Sequence, residues 1–154
     1  MEPKKEYMLK AIEVAKESAK TGDYAIGAVI IKDDQIIATG TVRRKIDEDP
    51  TAHAEVVAIR NACKKLNSRS LQGCILYSTQ ECCPMCSAAI FWANISGVVF
   101  GAFSKDVINR GTEKYSWRQI DLSCKELLQK GEPKIPVMEG FMRNECLPLI
   151  DLSQ

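Results

Sequence analysis

The chain has 154 residues, of which 45% are hydrophobic and 27% are charged. This length and balance predict one ordered domain over residues 1–154 and exclude a mainly disordered chain. The formal net charge of +1 gives no overall electrostatic reason to bind nucleic acid, and no segment approaches the ~18 uncharged apolar residues that span a membrane. Seven cysteines without a secretory signal pattern favour the reducing cytoplasm over a disulfide framework.

Hydrophobic periodicity predicts a helix and then a hairpin in the first part of the chain. Apolar residues recur at helical spacing from about Glu6 to Lys20, and a glycine-containing turn follows. The nearly continuous apolar run from Ala25 to Ile31 predicts a buried strand. Asp33-Asp34 then predicts a turn into a second strand from Gln35 to Val42.

Helices and strands alternate in the central part. After a charged loop from Arg43 to Pro50, apolar spacing predicts a helix from Ala52 to Leu66, with Thr51 as its N-cap. A β-type run from Cys74 to Thr79 precedes a second apolar helix from Pro84 to about Asn94.

The signals weaken in the last third. Val98 to Phe100 predicts a further strand, so the order strand, helix, strand, helix, strand favours an α/β domain whose sheet is partly parallel. Beyond it we expect a helix over Lys125 to Lys130 and an edge strand within Ile135 to Phe141. A last helix is expected from Arg143 to Leu152, despite Pro148.

The most informative residue is His53, the single histidine of the chain. It opens the triplet His53-Ala54-Glu55, and the run Cys83-Pro84-Met85-Cys86 offers two further soft ligands. One imidazole and two thiolates leave the fourth position of a tetrahedral zinc site open, which is the arrangement of a catalytic site. Both groups are predicted at helix starts, where the positive end of the helix dipole stabilises thiolates.

Other interpretations of these residues remain. A single imidazole excludes a Cys2His2 finger, a three-histidine zinc site and an HExxH protease. A Ser-His or Cys-His nucleophile pair would have to use His53, but no accompanying motif supports it. The Cys-x-x-Cys run alone would fit a redox pair or two buried thiols equally well, and Cys82 could pair with Cys86 in place of Cys83.

The combination of motifs resembles the cytidine-deaminase-like zinc hydrolases. His53-Ala54-Glu55, Thr79-Gln80-Glu81 and Cys83-Pro84-Met85-Cys86 match the H-x-E and P-C-x-x-C signature of that class. The similarity extends from the first helix to about Ala102. Within the superfamily, Asp49 to Val56 and Ala89 to Ala93 look most like guanine deaminases, followed by tRNA adenosine deaminases and cytosine deaminases.

The resemblance implies a three-layer α/β/α fold with a mixed sheet of about five strands, assembled as a homodimer. It implies one Zn²⁺ per chain on His53, Cys83 and Cys86, and Glu55 as the residue that takes a proton from water and passes it to the substrate. The amine then leaves as ammonia. This register also favours Cys83 over Cys82 as the partner of Cys86.

Two positions depart from the family pattern. The residue before the first ligand cysteine is usually proline, but here it is Cys82, which we interpret as a small apolar replacement rather than a further metal or redox residue. An asparagine commonly follows the second strand and binds the substrate, whereas this chain has Val42 there. The departure at Val42 leaves the substrate less defined than the reaction.

Four residues are candidate substrate contacts by resemblance. They are Ala54, Trp92, Glu113 and Trp117. Trp92 could stack on a planar base, although an aromatic residue in an apolar helix is more often part of the core. Glu113 and Trp117 loosely match an acidic residue that binds the substrate and an aromatic residue in guanine deaminases. The alternative for Glu113 is a solvated loop carboxylate.

These patterns together predict zinc-dependent deamination of a small heterocyclic base, with guanine first and cytosine second. A tRNA adenosine substrate is the alternative within the superfamily, and the near-zero charge counts against nucleic acid. We interpret the basic run Arg43-Arg44-Lys45 as a solvated surface rather than an RNA footprint. The other alternative is a noncatalytic zinc-binding module, against which Glu55 argues because a structural site has no use for a proton carrier.

Overall fold

The computed structural model describes residues 1–110 and 119–153. The helices are α1 (Lys5–Lys20), α2 (Ala54–Leu66), α3 (Pro84–Trp92), α4 (Ser104–Arg110), α5 (Cys124–Gln129) and α6 (Arg143–Leu152). The strands are β1 (Gly27–Lys32), β2 (Gln35–Thr41), β3 (Ile75–Gln80), β4 (Gly97–Ala102) and β5 (Val137–Met138). Within these described residues, no helix is both long enough and apolar enough to cross a membrane.

The strands form one mixed sheet in the order β2-β1-β3-β4-β5. Strand β1 runs antiparallel to both β2 and β3, while β3, β4 and β5 are mutually parallel. The predicted hairpin and the partly parallel sheet are therefore confirmed. The connection from β3 through α3 to β4 brings the residues that precede α3 to the end of β3.

Both faces of the sheet are covered by helices, which gives the three predicted layers. Side chains alternate along each strand, so Ile30 and Leu76 face one side while Val29 and Tyr77 face the other. Buried residues of α2, α3 and α5 cover the first face, and those of α1 and α6 cover the second. Because central strands have apolar residues on both faces, β1 and β4 are nearly continuous apolar runs.

The structure corrects two local predictions. Thr51 is not the N-cap of α2: its hydroxyl donates to Asp49 at 2.7 Å, and the helix begins at Ala54 with His53 at the cap position. Ala52 remains extended because its carbonyl accepts a hydrogen bond from the Arg43 amide at 3.0 Å. Helix α4 was not predicted, because its seven residues are too few to show a clear apolar period.

The ends of the chain follow the predictions more closely. Helices α5 and α6 lie where expected, and Pro148 is accommodated within α6. The edge strand within residues 135–141 is confirmed but is reduced to Val137–Met138. Helix α3 ends at Trp92, two residues before the predicted Asn94, which adopts a left-handed conformation with φ of 62°.

The first turn of α2 lies directly on strand β2 at Gly40. A Cβ atom at this position would lie 2.1 Å from the Ala54 carbonyl oxygen and 2.5 Å from the Ala58 amide nitrogen, both of them backbone atoms. Only glycine permits this approach. Gly40 therefore determines how closely the start of α2, which carries His53 and Glu55, packs on strand β2.

Gly40→Ala is expected to lower the free energy of unfolding by about 1–3 kcal/mol, because α2 must move away from β2 to admit the methyl group. Urea denaturation measures the effect. Thr39→Ala is the matched control, since it lies on the same strand with a half-buried side chain. Equal stability of Gly40→Ala and Thr39→Ala proteins would contradict this account of the contact.

Candidate metal centre

His53 and Cys83 occupy equivalent positions at the starts of two helices. Each is an N-cap residue with extended backbone angles, His53 for α2 and Cys83 for α3. The His53 side chain makes no capping hydrogen bond, so its ring is available to a ligand. Pro84 occupies the first turn of α3, as predicted, where its missing N–H costs no helical hydrogen bond.

The two helix starts bring three soft ligand atoms together. The ligand atoms of His53, Cys83 and Cys86 all lie within 4.8 Å of one another. The His53 Nδ1 atom is 3.6 Å from the sulfur of Cys83 and 3.6 Å from that of Cys86. Tetrahedral zinc with Zn–S and Zn–N bonds of about 2.3 and 2.0 Å places such ligands ~3.5 Å apart. The donor set therefore fits a zinc ion.

The pKa values of the three ligand side chains are shifted in different directions. The pKa of the Cys83 thiol is lowered to about 4, chiefly by its side-chain hydrogen bond with Cys86. The same hydrogen bond, together with burial, raises the pKa of Cys86. The hydrogen bond with Cys83 also raises the pKa of His53. A metal ion must displace the proton of Cys86 to bind, so metal and protons compete for the site.

Glu55 is a buried carboxyl group beside the three ligands. It is 4% exposed, and its Oε2 atom accepts a hydrogen bond from the Cys86 thiol at 3.5 Å. Its Oε1 atom lies 3.2 Å from the Ser78 hydroxyl on β3. Burial, and secondarily the charge of Cys83, raise the pKa of Glu55 above its usual value. A carboxyl group with a raised pKa can both take up and return a proton near neutral pH.

The cluster opens into a cavity of about 910 Å³. His53, Cys83 and Glu55 line its floor, and Tyr24, Val42 and Arg44 form part of its wall. Residues 119–123 and the start of α4 also line the cavity. The cavity is large enough to hold a small heterocycle next to the ligand cluster.

The structure places two of the four predicted substrate-binding residues, Ala54 and Trp92, in different environments. Ala54 is completely buried and lines the cavity, in keeping with a contact to a bound molecule. Trp92 is 80% exposed and lies outside this cavity, so it belongs neither to the core nor to the substrate site of its own chain. Glu113 and Trp117 lie outside the described residues.

The structure distinguishes Cys82 from its neighbour Cys83. Cys82 is 1% exposed and does not belong to the three-ligand group, consistent with its interpretation as a small buried residue. A hydrogen bond with Cys124, followed by burial, raises its pKa well above the usual value. The metal register therefore uses Cys83 and Cys86.

Glu81 has a positioning role that sequence reasoning did not assign. Its carboxylate, 8% exposed, accepts a hydrogen bond from the Ser104 amide at 2.9 Å and another from the Cys124 amide at 3.1 Å. It thus joins the starts of α4 and α5 to the loop that carries the cysteine ligands. Its place in the motif Thr79-Gln80-Glu81 was the available signal.

Arg44 was predicted to be a solvated surface residue, and this is wrong. Its guanidinium is bonded to the buried carboxylate of Asp23 and lies in the cavity wall. By contrast, Arg43 pairs with Asp47 on the surface, as expected. The sequence pattern alone could not separate these adjacent arginines.

Comparison with known proteins agrees with this geometry. A family model described as the cytidine and deoxycytidylate deaminase zinc-binding region matches residues 1–102. Guanine deaminase of Bacillus subtilis is 41% identical over 122 residues, covering 78% of each chain. The tRNA-specific adenosine deaminase of Aquifex aeolicus is 44% identical over 102 residues, covering 66% of this chain and 68% of that protein.

Solved structures show the same two kinds of relative. The X-ray structure of guanine deaminase from Bacillus subtilis matches with a TM-score of 0.67 and 36% identity, covering 79% of this chain and 87% of that one. A chain from studies of A-to-I editing by tRNA:A34 deaminases matches with a TM-score of 0.79 and 28% identity, covering 95% of this chain and 99% of that one. The fold thus extends beyond the region of the family model.

Replacing Cys83 or Cys86 with alanine is expected to abolish zinc binding, because two ligands do not close a site of this kind. Metal analysis by mass spectrometry should give about one zinc per chain in the unaltered protein, as expected for a single three-ligand site. Cys63→Ala is the matched control, since Cys63 lies on α2 outside the ligand group. Full zinc content in the Cys86→Ala protein would contradict the assigned ligand set.

Proposed function

Because this chain belongs to the family of the cytidine and deoxycytidylate deaminase zinc-binding region, we propose that it removes the exocyclic amine of a free heterocyclic base, with guanine preferred and cytosine second. The enzyme is a zinc-dependent aminohydrolase. The observation that carries the reaction is the buried carboxyl group of Glu55, which lies beside the three ligands and faces the cavity.

The ligand set would hold zinc through one nitrogen and two sulfur atoms, those of His53, Cys83 and Cys86. When bound, zinc supplies Lewis-acid activation of water, lowering its pKa from 15.7 toward about 7. Glu55 would accept one proton from water and donate it to a ring nitrogen, while the water oxygen bonds to the amine-bearing ring carbon. It would then take the second proton of that oxygen and give it to the amine, so that the carbon–nitrogen bond breaks and ammonia leaves.

Guanine is favoured over a nucleic acid by the charge of this chain, because similarity does not separate the two kinds of substrate. The match to the Bacillus subtilis guanine deaminase covers 78% of this chain, and matches to two tRNA-specific adenosine deaminases cover 66% and 95%. The formal net charge of +1 provides little electrostatic attraction for the phosphates of tRNA. Adenosine in tRNA is the alternative to a free base, supported by the 95% coverage of the match to the tRNA:A34 deaminase structure.

The protein is also proposed to act as a homodimer in the cytoplasm. Met85 and Trp92 lie two helical turns apart on α3 and are 37% and 80% exposed. Exposed aromatic and methionine side chains on one face are typical of protein interfaces. The cysteines are free thiols in the structure, as expected for a reducing compartment.

Ammonia release from guanine, cytosine and unmodified tRNA is the direct test. We expect turnover of guanine, and in Glu55→Gln a loss of about 10²- to 10⁴-fold with zinc content unchanged, because only proton transfer is removed. Glu17→Gln, on the exposed face of α1, is the matched control. Ammonia release from tRNA alone would replace guanine with adenosine in tRNA as the substrate. Full activity of Glu55→Gln would refute the role of Glu55 as the proton carrier.

Trp92→Glu is expected to convert the dimer to monomers, because a charge in the centre of an apolar interface is not solvated. Sedimentation velocity measures the change in mass. Leu9→Glu is the control, as Leu9 is a similarly exposed apolar residue, 54% exposed, on the distant helix α1. A dimer that survives Trp92→Glu but not Leu9→Glu would place the interface elsewhere.

A further inference from the structure

Arg44 is a cation in the cavity wall that is held by an ion pair with Asp23. Its Nε and Nη2 atoms donate to the Asp23 Oδ1 atom at 3.2 and 2.7 Å. The carboxylate is almost inaccessible, with 1% of the Asp23 side chain exposed against 28% of Arg44. The opposite carboxylate oxygen, Oδ2, accepts from the Lys45 amide at 3.1 Å. Asp23 therefore fixes the plane of the Arg44 guanidinium.

Tyr24 provides a second constraint on the same group. The central guanidinium carbon of Arg44 lies 4.0 Å from the centroid of the Tyr24 ring, a stacking distance. Both residues line the cavity that contains His53 and Glu55. A planar group held by a carboxylate and an aromatic face presents its remaining donors in a defined direction.

Arg44 has hydrogen-bond donors left for a ligand. A guanidinium carries five N–H groups. Two of them bond to Asp23, and one interacts with the Tyr24 side chain. Within the described residues the structure shows no partner for the others, and the side chain lines the cavity. Val42, two residues earlier, lines the same wall but is apolar and offers no hydrogen bond through its side chain.

We propose that Arg44 is a specificity-determining residue that binds the carbonyl edge of a purine whose 2-amino group faces the metal ligands. The inference rests on the proposed deamination of guanine and adds the residue that recognises it. In guanine, the 6-oxo group and N7 are acceptors on one edge, and a guanidinium is the side chain that pairs with them in two parallel bonds. Adenine carries a donor amine at this position, which Arg44 would repel.

The test compares two substrates that differ at the recognised group. Guanine and 2-aminopurine both carry the 2-amino group, but 2-aminopurine lacks the 6-oxo group and the N1 proton that accompanies it. Arg44→Gln should lower kcat/KM for guanine by about 5- to 150-fold, the range expected for a paired arginine contact. It should lower kcat/KM for 2-aminopurine much less, because only the bond to N7 can be lost with that substrate. An equal decrease for both purines, or no decrease for guanine, would overturn the inference.

Two further variants separate recognition from folding. Arg44→Gln leaves the buried Asp23 carboxylate without its cation, so the double variant Asp23→Asn/Arg44→Gln removes both charges and should show the same loss of preference. Arg43→Gln is the matched control, because Arg43 pairs with Asp47 on the surface and lies outside the cavity lining. Its preference for guanine should equal that of the unaltered protein.

A binding measurement keeps Arg44 testable if guanine is not the substrate. Hypoxanthine and purine lack the amine and differ in the 6-oxo group, so calorimetry on the zinc-loaded protein measures recognition without turnover. The unaltered protein should bind hypoxanthine more tightly, and Arg44→Gln should abolish the difference. A difference that persists in Arg44→Gln, equal binding of the two compounds, or binding of neither would overturn the role of Arg44. If neither guanine nor 2-aminopurine released ammonia, the proposed deamination of guanine would be refuted, while the binding measurement would still test the role of Arg44.

Discussion

The convergence of two helix starts is the constraint on which the site depends. His53 ends the segment that leads into α2, and Cys83 ends the segment between β3 and α3. The ligand atoms must meet within 4.8 Å, although the residues belong to different elements. Tetrahedral coordination tolerates little displacement, so every contact that positions α2 and α3 on the sheet serves the metal site. Gly40 and Glu81 are the clearest of these contacts.

Burial produces the chemistry of the same cluster. Two thiols, an imidazole and a carboxyl group lie together, and their pKa values move in different directions because they share hydrogen bonds in a poorly solvated place. A divalent cation stabilises the ionised thiols, while Glu55 remains beside it as a group that can exchange a proton. Shifted pKa values of this kind are typical of sites that carry out chemistry.

Much of this structure could be predicted from local patterns. Helices α1 and α6, the β1–β2 hairpin and the alternation of β3, α3 and β4 follow from apolar period and turn residues. The zinc ligands and Glu55 follow from residue type and spacing, since a single histidine leaves few combinations. The N-cap of α2 did not follow, because Thr51 could either cap a helix or bond to Asp49, and the pairing of Ala52 with Arg43 decides between them.

The sequence by itself determined which atoms are available for chemistry and that they lie at helix starts, because ligand type and helix signals are local properties. Only the tertiary structure decided that Trp92 is exposed and that Arg44 lines the cavity. The Arg44–Asp23 contact joins residues 21 positions apart. Side-chain direction at such positions depends on the packing of distant segments, which no local pattern encodes.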